Sequence, residues 1–566
     1  MNEVDKQRAK PGIRTHRRLL EIARRYRATA LISGYERMNH RRIADLARQV
    51  NEQAPQPKGH PVAFVKLSSG ILNLNLNNAF HLLTSLALQL QDQPVVHFAC
   101  QAGMSRCVLG TDRDQPHKPP PCTACQRHTR RMLHQPAHWF PYAENSALAI
   151  AVQNLGLPEL STFRYPLEST HDELPLGQIV IPSLRWILRR HNLEDNEPTR
   201  FLMRQYILSA YNVAKEFTAF LEQTNPRMVV VFNGMFYPEA VARRLALARG
   251  IPCITHEVGL RPFSAFFTPG EATAYPMDIP PDYELDEAEN ARLDAYLEQR
   301  FRGNFSMAGI RFWPEMHGLD QAFVDKLGKF KQLVPIFTNV IFDTSQVHAN
   351  TTFPDMFAWL EQVLELIRAH PETFFVVRAH PDETRPQKES RETVQAWAER
   401  RGLKQLPNAM FIAPSEYISS YEMIQRSKFV MVYNSSIGLE ASLMGAPVLC
   451  AGKSRYTPFN TVYLPLTAES HHQQAENFLA AEQITPPAEF KLNARRVLYY
   501  QLFRTSLPFD AYLEAQKLPG FVIFKAGLDW KQLLPENSPT MQAILDGLLE
   551  ETGGQDKSAF ILARHS

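Results

Sequence analysis

The chain has 566 residues, more than one hydrophobic core usually organises, so two domains with appendages are the first expectation. With 44% hydrophobic residues, 21% charged residues and a formal net charge of +3, it has the composition of an ordinary soluble protein, which speaks against a polyanion binder and implies no nucleic-acid partner. Six cysteines in a chain this long do not suggest a disulfide scaffold, and the lack of a bilayer-length apolar run or an apolar leader core makes a cytoplasmic location the expectation.

Residues 1–60 read as a basic helical N-terminal extension and linker. The helical pattern runs from Arg14 to about Val50, with Leu19, Leu20, Ile22, Ala23 and Tyr26 available for an apolar face, and "NEQAPQPKGHP" follows as the linker. An arginine-rich helix of this kind suits peripheral contact with anionic lipid at the inner face of a membrane, or packing on the first domain; packing is preferred. Residues 61–330 then read as an N-terminal Rossmann-like domain. A strand at 62–68, a helix through "AFHLLTSLALQLQ" and a strand at 95–100 open it, a Cys-rich insertion (100–136) interrupts it, and a strand–helix–strand unit at 228–259 resumes it. A proline-broken loop and an acidic helix near 285–302 lead out.

Residues 331–490 form a fresh α/β series, read as a C-terminal Rossmann-like domain, with strands at "LVPIFTNV", "FFVVRAHP", "AMFIAP", "FVMVYN" and "PVLCAG". Residues 491–566 are expected to be a helical C-terminal extension that crosses back to the first domain. The fold class is therefore α/β: two Rossmann-like parallel-sheet domains facing across a cleft.

Open α/β sheets bind ligands at the carboxyl ends of their strands, so the loops there carry the site expectations. "VVRAHPDETR" supplies His380 together with Asp382, Glu383 and Arg385. "VYNSSIGLEASLMGAPVLCAG" reads as strand, turn, helix, strand: Ser435 or Ser436 is placed to cap the helix, Gly445 and Pro447 end it, and Glu440 lies one turn on. Such a turn leaves unpaired backbone N–H groups that suit a phosphate. "TNVIFDTS" adds Asn339 after the first strand of this domain. From the first domain, "THEVGLRP" offers His256 and Glu257 as alternative general bases for an acceptor hydroxyl.

The pair "HPDE" and "NSSIGLEASLMGAPVLCAGKSRY", with "FTNVIFDTS" and the first-domain "FNG", "PEA" and "HEVG", resembles the capsule-polysaccharide biosynthesis glycosyltransferases, a GT-B-like group that includes Kdo-transferase-like surface-polysaccharide enzymes. The resemblance covers roughly residues 228–456. It implies a nucleotide-activated sugar donor on the second domain: His380 at the donor phosphate, Ser435, Ser436 and Gly438 in the phosphate turn, Glu440 on the ribose, and Glu257 or His256 as base. Lys453 and Arg455 are placed by charge to neutralise the departing phosphate, and Asn339 joins the donor set. No DxD-like motif sits at these strand ends, so a metal-independent transfer to a saccharide or lipid-linked acceptor is expected. A nonhydrolysing sugar-nucleotide epimerase, a glycerophosphate-type polymerase and a non-catalytic polysaccharide-assembly protein with a zinc module remain alternatives.

The cysteines stand apart from that resemblance. Cys100, Cys107, Cys122 and Cys125 follow a C-x6-C-x14-C-x2-C spacing in a proline-rich insertion poor in apolar residues. The closing C-x2-C lets two sulfurs meet one tetrahedral ion, so a structural zinc is favoured over unligated thiols, with an iron–sulfur cluster third. His97, His117 and His128 are spare ligand candidates.

Overall fold

A computed structural model describes residues 11–67, 73–168, 173–301, 306–307, 310–311, 317–385, 388–550 and 557–564. Two sheets organise them. The first contains β1 (Val62–Lys66), β2 (Val95–Cys100), β3 (Ala137–Phe140), β4 (Met228–Phe232), β5 (Cys253–Val258) and β6 (Ser264–Thr268). The second contains β7 (Gln332–Phe337), β8 (Thr373–Arg378), β9 (Ala409–Ile412), β10 (Val430–Val432) and β11 (Val448–Cys450). A last strand, β12 (Leu507–Pro508), returns to the first sheet, whose order is β12-β6-β5-β4-β1-β2-β3.

The second sheet runs β9-β8-β7-β10-β11 and every pair in it is parallel. The first is parallel from β3 through β5, with antiparallel β6 and β12 at one edge. In both sheets the chain adds two strands to one side of its first strand and then crosses to the other. The reversal opens a crevice between β1 and β4 in one domain and between β7 and β10 in the other, where loops at the strand ends diverge.

Strand composition explains why both sheets are covered. Along β1, Ala63 and Val65 enter one core while Val62 and Phe64 enter another, because successive side chains point to opposite faces. β7 does the same, with Leu333 and Phe337 on one face and Val334 and Ile336 on the other. Each side chain of this size removed from water contributes about 1.5–3 kcal/mol.

The expected architecture of two parallel-sheet domains is the observed one, with differences at its margins. β3 begins directly after the predicted insertion and β6 lies in the predicted loop; both are short and flanked by proline or polar residues, which hid them. The helix Glu287–Phe301 contributes Leu293 and Leu297 to a core that holds Phe374 and Val432 of the second sheet together with Phe266 of the first, so it packs where the two domains meet. The C-terminal extension is not wholly helical. Helix Ala488–Tyr499 continues as a π-helical turn, Tyr500–Arg504, into β12, and a hairpin (Leu513–Ala515 with Val522–Phe524) and helix Pro539–Leu549 complete the first domain's core. The chain thus crosses back as expected.

Helix α1 (Pro11–Gln53) buries Ile43, Leu46, Ala47 and Val50 in that same core. Its Asn39 donates to Val522 O and accepts from Phe524 N, both at 3.0 Å, stitching α1 to the C-terminal hairpin. The predicted apolar face at Leu19–Tyr26 lies outside the residues whose side chains are described. No helix among the described residues is long and apolar enough to cross a membrane.

Candidate active site

A cavity of about 460 Å3 lies between the two domains. Trp186, Arg189, Leu260 and Thr273 of the first domain line one side; the loops after β7, β8, β10 and β11 line the other. Among the expected donor residues, Asn339, His380, Ser435, Ser436, Glu440, Lys453 and Arg455 all border it.

The turn after β10 is held from outside the helix it starts. Ser436 occupies the N-cap position of Ile437–Leu443 but makes no side-chain cap bond, contrary to the capping expectation. Instead the carbonyl of Ser435 accepts from the Tyr456 hydroxyl at 2.7 Å and from Gly438 N at 3.0 Å. Asn339 reaches this turn through Asn434, donating from Nδ2 to Oδ1 at 2.6 Å, while its own Oδ1 accepts from Val340 N at 2.8 Å. Asn339 therefore couples the β7 loop to the serine turn, the two loops that flank the switch point.

His380 ends β8 as the N-cap of a short 3-10 turn, and its Nδ1 accepts from Asp382 N at 3.1 Å. That bond assigns the ring proton to Nε2, making the imidazole a donor there. Burial holds its pKa below the ordinary histidine value, against the raising effect of Asp382, so it is a neutral donor near pH 7.

Glu440 is already engaged. Arg300 donates to its Oε1 and Tyr421 to its Oε2, with both carboxylate and guanidinium side chains largely buried. A ribose at this carboxylate would share it with those two donors. Arg300 and Tyr421 carried no strand-end motif, and this ion pair was not foreseen.

Arg189 was missed for the same reason. It closes the helix Leu176–Leu188 in a left-handed conformation (φ +57°) and is 6% exposed. Its guanidinium lies 4.1 Å from the Trp186 ring centroid and 4.9 Å from that of Phe342 in the facing domain. Among the described residues its Nε and Nη1 have no hydrogen-bond partner. Burial, then the nearby charge of Arg113, lowers its pKa to about 10, which leaves it charged at neutral pH. Arg455 stacks 4.2 Å from the Tyr275 ring centroid, and Arg378 is consumed by Ile418 O and by Ser420 Oγ at 2.7 Å.

Neither of the two expected bases is among the residues that border the cavity, and His256 is the more deeply buried of them. His256 is 0% exposed, packed against His81, Phe232 and Phe267, and desolvation lowers its pKa to about 3. Strand alternation is the reason: adjacent residues of β5 face opposite sides, and His256 takes the core side. Glu257 takes the other. Its Oε1 accepts from Asn77 Nδ2 (3.1 Å) and Val258 N (2.8 Å), and its Oε2 from Asn233 Nδ2 (2.9 Å). Asn233 and Gly234 turn through left-handed backbone (φ +61° and +78°) at the end of β4, so the "FNG" motif positions this carboxyl. Burial raises the Glu257 pKa, and the negative charge of Asp343, which borders the cavity, adds to the effect.

The cysteines are neighbours: the thiols of Cys122 and Cys125 raise those of Cys100 and Cys107, though burial is the larger cause for both. Gly103 N donates to Cys100 Sγ at 3.1 Å. Among the described residues no three of these sulfurs stand within 4.8 Å of one another; the one group meeting that limit is Glu36, His40 and His128.

Comparison with known proteins bears on the second domain first. Residues 310–477 match the family model described as "Capsule polysaccharide biosynthesis protein". This segment includes all five strands of the second sheet and the motifs quoted from their ends. No curated protein matches the chain. Among solved structures, the KpsC beta Kdo 2,7 transferase of Thermosulfurimonas dismutans is 15% identical with a TM-score of 0.32, covering 55% of this chain and 85% of that one. The beta Kdo 2,4 transferase of the same organism is 13% identical (TM-score 0.32; 50% and 80% covered). The Neisseria meningitidis UDP-GlcNAc 2-epimerase bound to UDP-GlcNAc is 18% identical (TM-score 0.24; 53% and 81% covered).

Proposed function

We propose that the protein is a glycosyltransferase of surface or capsular polysaccharide biosynthesis, moving a sugar from a nucleotide-activated donor to a saccharide or lipid-linked acceptor. The observation that carries this reading is Arg189, a buried guanidinium bordering the interdomain cavity with two nitrogens unpaired among the described residues. A desolvated cation of this kind is stabilised by an anionic ligand, and a planar guanidinium suits phosphate oxygens. Facing it across the cavity are the neutral Nε2–H donor of His380, the serine turn, Lys453 and Arg455.

In this reading the donor phosphate lies between Arg189 and His380, and charge accumulating on the leaving group meets fixed donors without a metal. Glu257, oriented by Asn77 and Asn233, takes the proton of the acceptor hydroxyl as it attacks the anomeric carbon from the first domain's side. Direct displacement with one base inverts that carbon. The match of residues 310–477 to a capsule polysaccharide family supports the pathway class.

A thermal-shift screen across UDP-, GDP-, CMP- and dTDP-sugars tests it, because a ligand that binds the native state raises its melting temperature. One donor class should stabilise the wild type, with the shift reduced in Arg189→Ala and His380→Ala. Equal shifts in all three proteins would remove the site assignment. Conversion of a donor without any acceptor would instead favour the epimerase.

A further inference from the structure

Among residues that do not line the cavity, α1 meets the helix of the Cys-rich insertion, α2 (Cys122–Met132). Glu36 and His40 sit four residues apart on α1, so both lie on one face. α2 presents His128 to that face. His128 Nδ1 is 2.9 Å from Glu36 Oε1 and 3.2 Å from His40 Nε2, and all three atoms lie within 4.8 Å of one another. His128 is 3% exposed, while Glu36 and His40 are partly accessible.

From these distances we infer that Glu36, His40 and His128 form a binding site for one divalent transition-metal ion of the zinc class, clamping the N-terminal helix to the insertion. Protons satisfy this triangle poorly. If Nδ1 of His128 carries its hydrogen, that single N–H faces both a carboxylate oxygen and a second imidazole nitrogen; if it is bare, its lone pair opposes the carboxylate. An ion at the centre turns all three into ligands. Zinc bonds of 2.0–2.2 Å in tetrahedral array set neighbouring N and O ligands about 3.3 Å apart, close to the two separations quoted. Two imidazoles and a carboxylate favour zinc, cobalt, nickel or copper over magnesium or calcium, with water free to complete the shell.

The clamp would act on folding. α1 is stitched at Asn39 to the C-terminal hairpin, one residue from His40, so an ion here links the insertion, the N-terminal helix and the C-terminal hairpin. α2 also carries Cys122 and Cys125 in its first turn, so the two candidate metal positions must be separated by experiment.

Full-length protein stripped with a chelator and reloaded with Co2+ provides the test. The ion expected here gives a nitrogen–oxygen visible spectrum without the near-ultraviolet thiolate charge-transfer band. It should persist in Cys122→Ser/Cys125→Ser and weaken roughly 100-fold in His40→Ala, since loss of even an outer-shell partner costs 10–100-fold. Zn2+ should raise the melting temperature of the wild type and of the double-cysteine variant, but not that of His40→Ala. Glu36→Gln, at a partly exposed position, repeats the comparison if His40→Ala folds poorly in chelator. Cobalt bound only through thiolates, or a nitrogen–oxygen spectrum unchanged in His40→Ala and Glu36→Gln, would overturn the assignment.

Discussion

The Tyr456 hydroxyl donates to the carbonyl of Ser435 at 2.7 Å by passing against Gly438: a Cβ added there would stand 2.4 Å from that oxygen and 3.0 Å from Val432 Cγ2. The glycine of the S-x-x-G signature is thus required for close approach, not for an unusual backbone angle. Gly438→Ala should cost about 1–3 kcal/mol, the usual range for overpacking, and should weaken donor binding by displacing the serine turn. Gly438→Ala with Tyr456→Phe removes the clashing oxygen and should be less damaging than the sum of the two single changes. Chemical denaturation of the four proteins measures this; strict additivity would mean that the tyrosine is not what the new methyl meets.

Arg300 and Glu440 join the helix Glu287–Phe301 to the turn-and-helix that borders the cavity. Removing one partner of a buried pair leaves the other charge uncompensated, so Arg300→Met should destabilise by about 3 kcal/mol even though Tyr421 still donates to the carboxylate. Adding Glu440→Gln should recover much of that loss. A double mutant no more stable than Arg300→Met would show that the charge pairing carries little of the contact. The same variants separate stability from ligand binding: if Glu440 meets the donor, Glu440→Gln lowers the ligand-induced thermal shift.

How much of this was legible in the sequence follows from what each residue answers to. The strands of the second domain read clearly because buried parallel strands are continuous apolar runs, and the loop motifs at their ends led to His380, Asn339 and the serine turn. β3 and β6 were lost because four- and five-residue strands beside proline or polar residues carry little periodicity. His256 and Glu257 could not be ranked without knowing which face of β5 met the core. Arg189, Arg300 and Tyr421 reach the cavity from helices whose local sequence serves helix formation; only tertiary packing brings them there. The His40–His128 pairing spans 88 residues and is likewise invisible to local pattern.

Glu383, in the "HPDE" motif, is 1% exposed; its Oε1 accepts from Val394 N at 3.1 Å, and its Oε2 has no partner among the described residues. Burial pushes its pKa from 4.5 up to about 8. Between those values the folded state binds more protons than the unfolded, so stability from this group is full below pH 4.5 and declines as pH rises to about 8. At about 1.4 kcal/mol per unit, the decline between pH 5.5 and 7.5 is at most roughly 3 kcal/mol. Glu383→Gln should flatten the slope and be the more stable protein at pH 8.5. Urea denaturation at both ends of the range reads it; parallel profiles for wild type and variant would place the carboxyl's pKa near its ordinary value.

Glu257 offers the most direct test of the chemistry. Its carboxyl is held by Asn77, Asn233 and Val258, and its pKa is raised by burial, so it stays protonated to a higher pH than an ordinary glutamate. A base must be ionised to act; activity should therefore fall as pH drops through this raised pKa, and the acid limb should lie above pH 4.5. Glu257→Gln keeps the side chain's size and an oxygen for one asparagine donor, so the melting temperature should stay near the wild-type value. Its kcat should fall roughly 100- to 10,000-fold with KM for the donor little changed, and the acid limb should vanish from whatever activity remains. Retention of wild-type kcat, or loss of donor binding with kcat intact, would assign the base to another residue and reduce Glu257 to an anchor for the "FNG" turn.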